Sequence, residues 1–209
     1  MNMKKLLCLA LALTMAFALV ACGGEKAPEE TAPAAYVPAV KESAVKTCGE
    51  ASVTITYVYD ADGKCIKEVA ADAEGNELNN YFTYNSEGKL GSEIHNNADE
   101  TKDKYRHTYK DGLLIKTVHT APSGSKTTIA YTHNEDGTIA GYTKTFSDKS
   151  TQTAVYTYND LGAVASIECT GVEPSVTTYE YNNHGDVIKE SVTVEGVETV
   201  TTYEYTYQQ

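Results

Sequence analysis

From Ser52 to the C-terminus, apolar and aromatic side chains return at every second position, as in Ile55-x-Tyr57-x-Tyr59 and Ala154-x-Tyr156-x-Tyr158, with Thr filling many of the places between. A period of two puts one set of side chains on one face of a strand, whereas a helix would need apolar spacings of three and four. Thr and Tyr both suit a pleated surface. The alternating stretches are interrupted by Asp60-Ala-Asp-Gly63, Asn85-Ser-Glu-Gly88, Asn134-Glu-Asp-Gly137, Asn159-Asp-Leu-Gly162 and Asn182-Asn-His-Gly185. Each begins with Asx, whose side chain bonds the turn backbone, and ends in Gly, which accepts the left-handed conformation that closes a hairpin with a bulge. The predicted element is a β-hairpin, repeated.

The repeat is regular. Its closing glycines, Gly63, Gly88, Gly112, Gly137, Gly162 and Gly185, are 25, 24, 25, 25 and 23 residues apart. Aromatic pairs precede them at Tyr57/Tyr59, Phe82/Tyr84, His107/Tyr109, Tyr131/His133, Tyr156/Tyr158 and Tyr179/Tyr181, and a last pair, Tyr203/Tyr205, follows the final unit. Two residues beyond each glycine stand Cys65, Leu90, Leu114, Ile139, Val164 and Val187. No single hairpin buries its own apolar face, so stability has to come from neighbouring units. The expected fold is all-β: a meander of six to seven hairpin repeats, about 13 antiparallel strands, twisted into a curled or barrel-like sheet with its Tyr columns inward. A free edge is expected at the C-terminal strand, blunted by Thr206, Gln208 and Gln209.

The phrase Tyr57-Val-Tyr59-Asp60-Ala-Asp-Gly63 resembles the YD repeat of bacterial Rhs-type and teneurin-like proteins, whose consensus is Tyr-x-Tyr-Asp-x-x-Gly followed by a basic residue and Leu. The likeness covers roughly residues 52 to 207. Asp60 alone supplies the Asp, with Asn in most other units, and the basic residue recurs as Lys64 and Lys89. The resemblance implies hairpins joined into a spiralling sheet. Six and a half repeats are too few to enclose a cargo.

The N-terminus changes the picture from a fold to a location. Lys4 and Lys5 precede an uncharged apolar run from Leu6 to Ala21, the plan of an export signal, and the run is shorter than the roughly 20 residues that cross a bilayer as a helix. Leu19-Val20-Ala21-Cys22-Gly23 resembles the lipobox of bacterial lipoproteins, which implies cleavage before Cys22 and lipidation of its thiol. The expected organisation is a signal peptide at 1–21, a lipid-anchored flexible tether at 22–50, and the β-repeat domain at 51–209. Pro28, Pro33 and Pro38 lie in the tether, whose reach is on the order of 30 Å; a helix around residues 39 to 47 is the alternative.

Of 17 basic and 29 acidic residues, cleavage removes only Lys4 and Lys5, so the net charge of −12 becomes about −14. Nucleic acid, which calls for clustered Lys and Arg, is not an expected partner. Cys48, Cys65 and Cys169 are odd in number. Cys65 takes a place held elsewhere by Leu, Ile or Val, which suggests a small buried hydrophobe, with a Cys48 to Cys65 bridge as the alternative.

Candidate chemistry is sparse. Asp60-Ala-Asp62-Gly63 and Asn134-Glu-Asp136-Gly137 look like calcium loops, but their twelfth positions are Ala71 and Thr145, not the required carboxylate, so they read as turns. His95, His107, His119, His133 and His184 lack metal-ligand spacing, and no catalytic motif or cofactor signature is present. There are 16 tyrosines and no Trp, so the likeness to choline- and glucan-binding repeats ends at the hairpin. Tyrosines outside the Tyr-x-Tyr phrase, such as Tyr81, Tyr105, Tyr142 and Tyr207, are the expected surface-binding aromatics. The expected function is a non-enzymatic surface module for a glycan or envelope protein; a structural spacer that self-associates is the alternative, and a hydrolase on a β scaffold would need two carboxylates converging in one groove.

Overall fold

A computed structural model describes residues 39–208; the expected signal segment, Cys22 and most of the expected tether lie outside the described residues. The first seven strands are β1 (Lys41–Cys48), β2 (Ala51–Tyr59), β3 (Cys65–Ala71), β4 (Glu77–Tyr84), β5 (Leu90–Asn96), β6 (Lys102–Lys110) and β7 (Leu113–Thr120). The second seven are β8 (Lys126–His133), β9 (Ile139–Thr145), β10 (Thr151–Tyr158), β11 (Val164–Gly171), β12 (Ser175–Tyr181), β13 (Val187–Val194) and β14 (Val197–Tyr207). Each pairs antiparallel with the next, and β14 pairs with β1, so the meander closes into a barrel. Among the described residues there is no helix.

The closing strand corrects the expected tether. Residues 41–48 are β1, not linker or helix, and they carry the pairing that removes the expected C-terminal edge: Ala44 faces Tyr205, Lys46 faces Tyr203 and Cys48 faces Thr201. The segment lacks the aromatic phrase because its neighbours supply the aromatics. Small Ala44 is buried between Tyr205 on one side and Ile55 on the other.

Alternation sets inside from outside. On β2 and β6 exposure switches with every residue, and Val53, Ile55, Tyr57 and Tyr59 face the lumen together with Asp103, Tyr105, His107 and Tyr109. The outward positions are Thr, Ser, Lys and Glu with scattered Val, for example Thr54, Thr56 and Val58 on β2 and Thr151, Thr153, Val155 and Thr157 on β10. At Gly141 the wall is so tight that only Gly fits: a Cβ there would run into the Ala154 carbonyl oxygen of the neighbouring strand.

The two aromatic positions of the repeat have different tasks. The first stands opposite the residue five beyond the turn glycine, giving the lumenal cross-strand pairs Tyr57/Glu68, Phe82/Glu93, His107/Thr117, Tyr131/Tyr142, Tyr156/Ile167 and Tyr179/Glu190. The second, where it is Tyr59, Tyr84, Tyr158, Tyr181 or Tyr205, ties its hairpin to the strand or hairpin before. Tyr84 donates to the Cys65 carbonyl at 2.8 Å, Tyr158 to Ile139 at 2.7 Å, Tyr181 to Val164 at 2.8 Å and Tyr205 to Val187 at 2.9 Å. Tyr59, with no preceding repeat, uses the Lys41 carbonyl of β1 at 2.8 Å. Stability is therefore shared between neighbours through hydrogen bonds as well as packing.

The Asx-Gly turns close as their residues dictate. Asn85 Oδ1 accepts from the Glu87 and Lys89 amides, and Asn159 and Asn182 repeat the arrangement. Gly63, Gly88 and Gly137 take φ of 76°, 77° and 85°, the left-handed region that L side chains avoid. The residue after the glycine reaches the next unit: the Lys64 ammonium lies 5.5 Å from the Tyr84 ring centroid, Lys89 lies 5.5 Å from that of Tyr109, and Lys89 also donates to the Gly112 carbonyl. These turns and both ends of the described chain share one rim; the turns after β1, β3, β5, β7, β9, β11 and β13 form the other.

Candidate functional site

The lumen gathers the side chains with the most chemistry. Three of the six positions five residues beyond a turn glycine hold Glu: Glu68, Glu93 and Glu190. Their hairpins are consecutive around the closed ring, separated only by β14 and β1, so one side of the lumen is carboxylate-rich. Thr117, Tyr142 and Ile167 fill the same position elsewhere, and Tyr131, Tyr142 and Tyr156 contact edge to face at ring separations of 6.2 Å. The lumen is thus acidic on one side and aromatic on the other. Among the described residues no large side chain is fully buried, and the lumenal tyrosines are half-buried, so the interior keeps contact with solvent.

The acidic side is a hydrogen-bonded network. Glu93 is 6% exposed, and its two oxygens lie 2.8 Å from His95 Nε2 and 2.8 Å from His107 Nε2. Burial pushes the Glu93 carboxyl up, but the bonds from His107 and His95 more than offset this and hold it below the usual carboxylate range. His107 Nδ1 pairs with Thr117, and Tyr131 donates to the same Thr117 hydroxyl. His95 is 3% exposed, and its Nδ1 is buried without a partner among the described residues. Tyr105 stacks on His119 at a centroid distance of 4.6 Å and meets His95 at a tilt, 4.9 Å away, and His119 pairs with Asp103.

Glu68, 7% exposed, behaves in the opposite way. Burial pushes its carboxyl up to about 7, with Asn80 hydrogen-bonding it and Lys41 and Lys46 restraining the rise. Two lumenal carboxyls thus differ in charge near neutrality because only Glu93 has imidazole partners. Elsewhere Asp186 holds Lys41 at 2.9 Å and accepts from Tyr207 at 2.8 Å, while Asn182 donates to Tyr207.

Of the expected binding aromatics, Tyr81 alone stands outside, 41% exposed, with Lys67 5.7 Å from its ring centroid. Tyr105, Tyr142 and Tyr207, expected on the surface, face the lumen. They lie outside the Tyr-x-Tyr phrase but share its phase: Tyr105 precedes His107 by two, Tyr207 follows Tyr205 by two, and Tyr142 is opposite Tyr131. Tyr81 is one residue out of phase, beside inward Phe82. Cys48, Cys65 and Cys169 are free thiols. Cys65 has its pKa raised to about 11 chiefly by burial, and Cys169 sits 3.3 Å from the Tyr142 hydroxyl. Both calcium-like segments are turns, and among the described residues no three His, Cys, Asp or Glu are grouped to hold a metal ion. The signal for Glu68, Glu93 and Glu190 was present in the sequence, as Glu at a fixed offset from three glycines, but pairing of first with last repeats was needed to bring them to one side.

No family model matches the sequence, and no curated protein matches it. Among solved structures, the barrel is similar to a porin-like protein from Bacteroides vulgatus ATCC 8482, over 81% of this chain and 99% of that one, at 13% identity and a TM-score of 0.52. A porin-like protein from Bacteroides uniformis ATCC 8492 aligns over 83% of this chain and 99% of that one, at 13% identity and a TM-score of 0.43. The TcdB2-TccC3-Cdc42 complex aligns over 68% of this chain and 7% of its own, at 21% identity and a TM-score of 0.37. The first of these bears on architecture, and on architecture alone.

Proposed function

We propose that this chain is a non-enzymatic binding module of the cell envelope, a closed barrel held at the outer side of a membrane by lipid on Cys22 and contacting a glycan or another envelope protein. The observation that carries the reading is the polarity of the wall. A barrel that crosses a bilayer presents an apolar outer band and a polar lumen. Here the outer positions are mostly Thr, Ser, Lys and Glu, with Val45, Val58, Ile66, Val155 and Val176 scattered singly among them instead of forming a band, and the Tyr columns face inward. Such a wall belongs in water, so residence at a membrane calls for a separate anchor, which Leu19 to Cys22 supplies. Closure leaves no free edge, which argues against edge-to-edge assembly.

The test expresses the full-length chain and Cys22→Ala in a bacterium and follows detergent partition and retention on isolated envelope material. The parent is expected in the detergent phase and the variant in the aqueous phase, with both retained by envelope glycan or protein. An aqueous parent, a variant that still enters detergent, or no retention of either would overturn the reading.

A further inference from the structure

We infer that the outer face of β6 to β8 is a docking surface for a linear anionic polysaccharide, which gives the proposed envelope contact a specific partner class and rests on that reading. Lys102, Lys104, Arg106 and Lys110 all point outward from β6, joined by Lys116 on β7 and Lys126 on β8, and all are exposed. In register, Lys104 lies beside Thr120, which lies beside Lys126, so the second row continues the first. No outward strand position from β5 to β9 holds an acid. The salt bridges among the described residues use Lys41, Lys89 and Lys189, so none of these six cations is engaged in one. Flanking Asp99 is held by Thr101 within the turn, and exposed Glu100 and Asp111 lie in the turns at the two ends of β6, outside the strand row itself.

A concentration of unpaired positive charge in a chain of net charge −12 is local by construction. Screening over about 8–10 Å keeps distant acids from cancelling it. The remaining acids of the wall gather elsewhere, with Glu168, Glu180 and Glu204 outward on β11, β12 and β14.

The spacing selects the partner. Alternate residues on one strand stand about 6.7 Å apart, so Lys102, Lys104 and Arg106 form a straight row of cations at a near-regular interval. A row meets successive charges of an extended chain, whereas a single small anion would meet one or two. The row borders a groove of about 400 Å³ lined by Lys102, Lys104, Thr101, Thr120 and Pro122, in which hydroxyls stand beside the ammonium groups. The groove lies at the rim opposite the one where the chain enters at Lys41, facing away from any N-terminal anchor.

The experiment uses the full-length chain in neutral detergent, with dextran sulfate and uncharged dextran as probes across a salt series. Lys102→Gln/Lys104→Gln/Arg106→Gln is compared with the charge-matched Lys67→Gln/Lys149→Gln/Lys189→Gln, both checked for native circular dichroism. Dextran sulfate is expected to bind the parent and the second triple alike, and the first triple about tenfold more weakly, with a log–log salt slope shallower by about 2. Binding of uncharged dextran, equal loss in both triples, or no binding at low salt would sink the inference. So would an effect of the first triple on sedimentation of the protein alone, which would make a second copy the occupant, or on capture by phosphatidylglycerol vesicles, which would make it a membrane. If the first triple is still retained fully on envelope material, this inference fails while the binding-module reading stands.

Discussion

At the scale of single residues, the Tyr-x-Tyr phrase is two devices in one motif. The inward phase of both rings is legible from the period of two. Their division of labour is not, because it depends on which carbonyl the preceding hairpin brings within reach. Tyr158→Phe keeps the ring and removes one neutral hydrogen bond to Ile139, so chemical denaturation is expected to show a loss of about 1 kcal/mol without loss of fold. Glu68 makes a sharper case. Its folded carboxyl titrates near 7 against an ordinary value of 4.5, so the folded state binds more protons than the unfolded one between those values. Its contribution is neutral below 4.5, where both states are protonated, and grows more unfavourable as pH rises towards 7. Glu68→Gln is expected to leave stability unchanged at pH 4 and to raise it at pH 8 by up to about 3 kcal/mol, as read from urea midpoints. An equal effect at both pH values would refute the cause. Sequence offers the recurring Glu after glycine but no burial, and burial is what moves the titration.

At the scale of elements, the hairpins were readable because every local signal agreed: Asx and Gly at the turn, aromatics at the pair, an aliphatic or Cys two residues on. β1 was not readable, because it breaks all of these rules at once. Its lumenal positions are Ala44, Lys46 and Cys48, and its neighbours bring the rings, so its identity as a strand resides in its partners. Its loss should accordingly be felt far from its own sequence. Removing residues 1–49 exposes the ladders of β2 and β14, and size-exclusion chromatography is expected to show dimers or larger species where removal of residues 1–38 leaves a single monomeric peak. Monomers from both truncations would show that closure does not depend on β1.

For the whole molecule, an apolar-inward curled or barrel-like sheet followed from the pattern, but full closure did not. Closure depends on Tyr205 finding Ala44 more than a hundred residues away, and nothing local encodes that distance. The asymmetry of the barrel was likewise hidden. Glu190 is remote from Glu68 and Glu93 in sequence, and only the ring makes the first and last repeats neighbours. The outward basic row alternates with inward residues along β6, but the lack of acids at neighbouring outward strand positions is a property of the assembled wall.

The seam between β1 and β14 also has a mechanical meaning. β1 is bonded on both sides, to β14 and to β2, and ladder hydrogen bonds run perpendicular to the strands. Tension arriving at Lys41 from the N-terminal side, with the molecule gripped at its far rim, would act along the strand axis. Two ladders would then share the load in shear, instead of opening one bond at a time like a zip. The strand that completes the ring is therefore placed where a pull on the chain is best resisted.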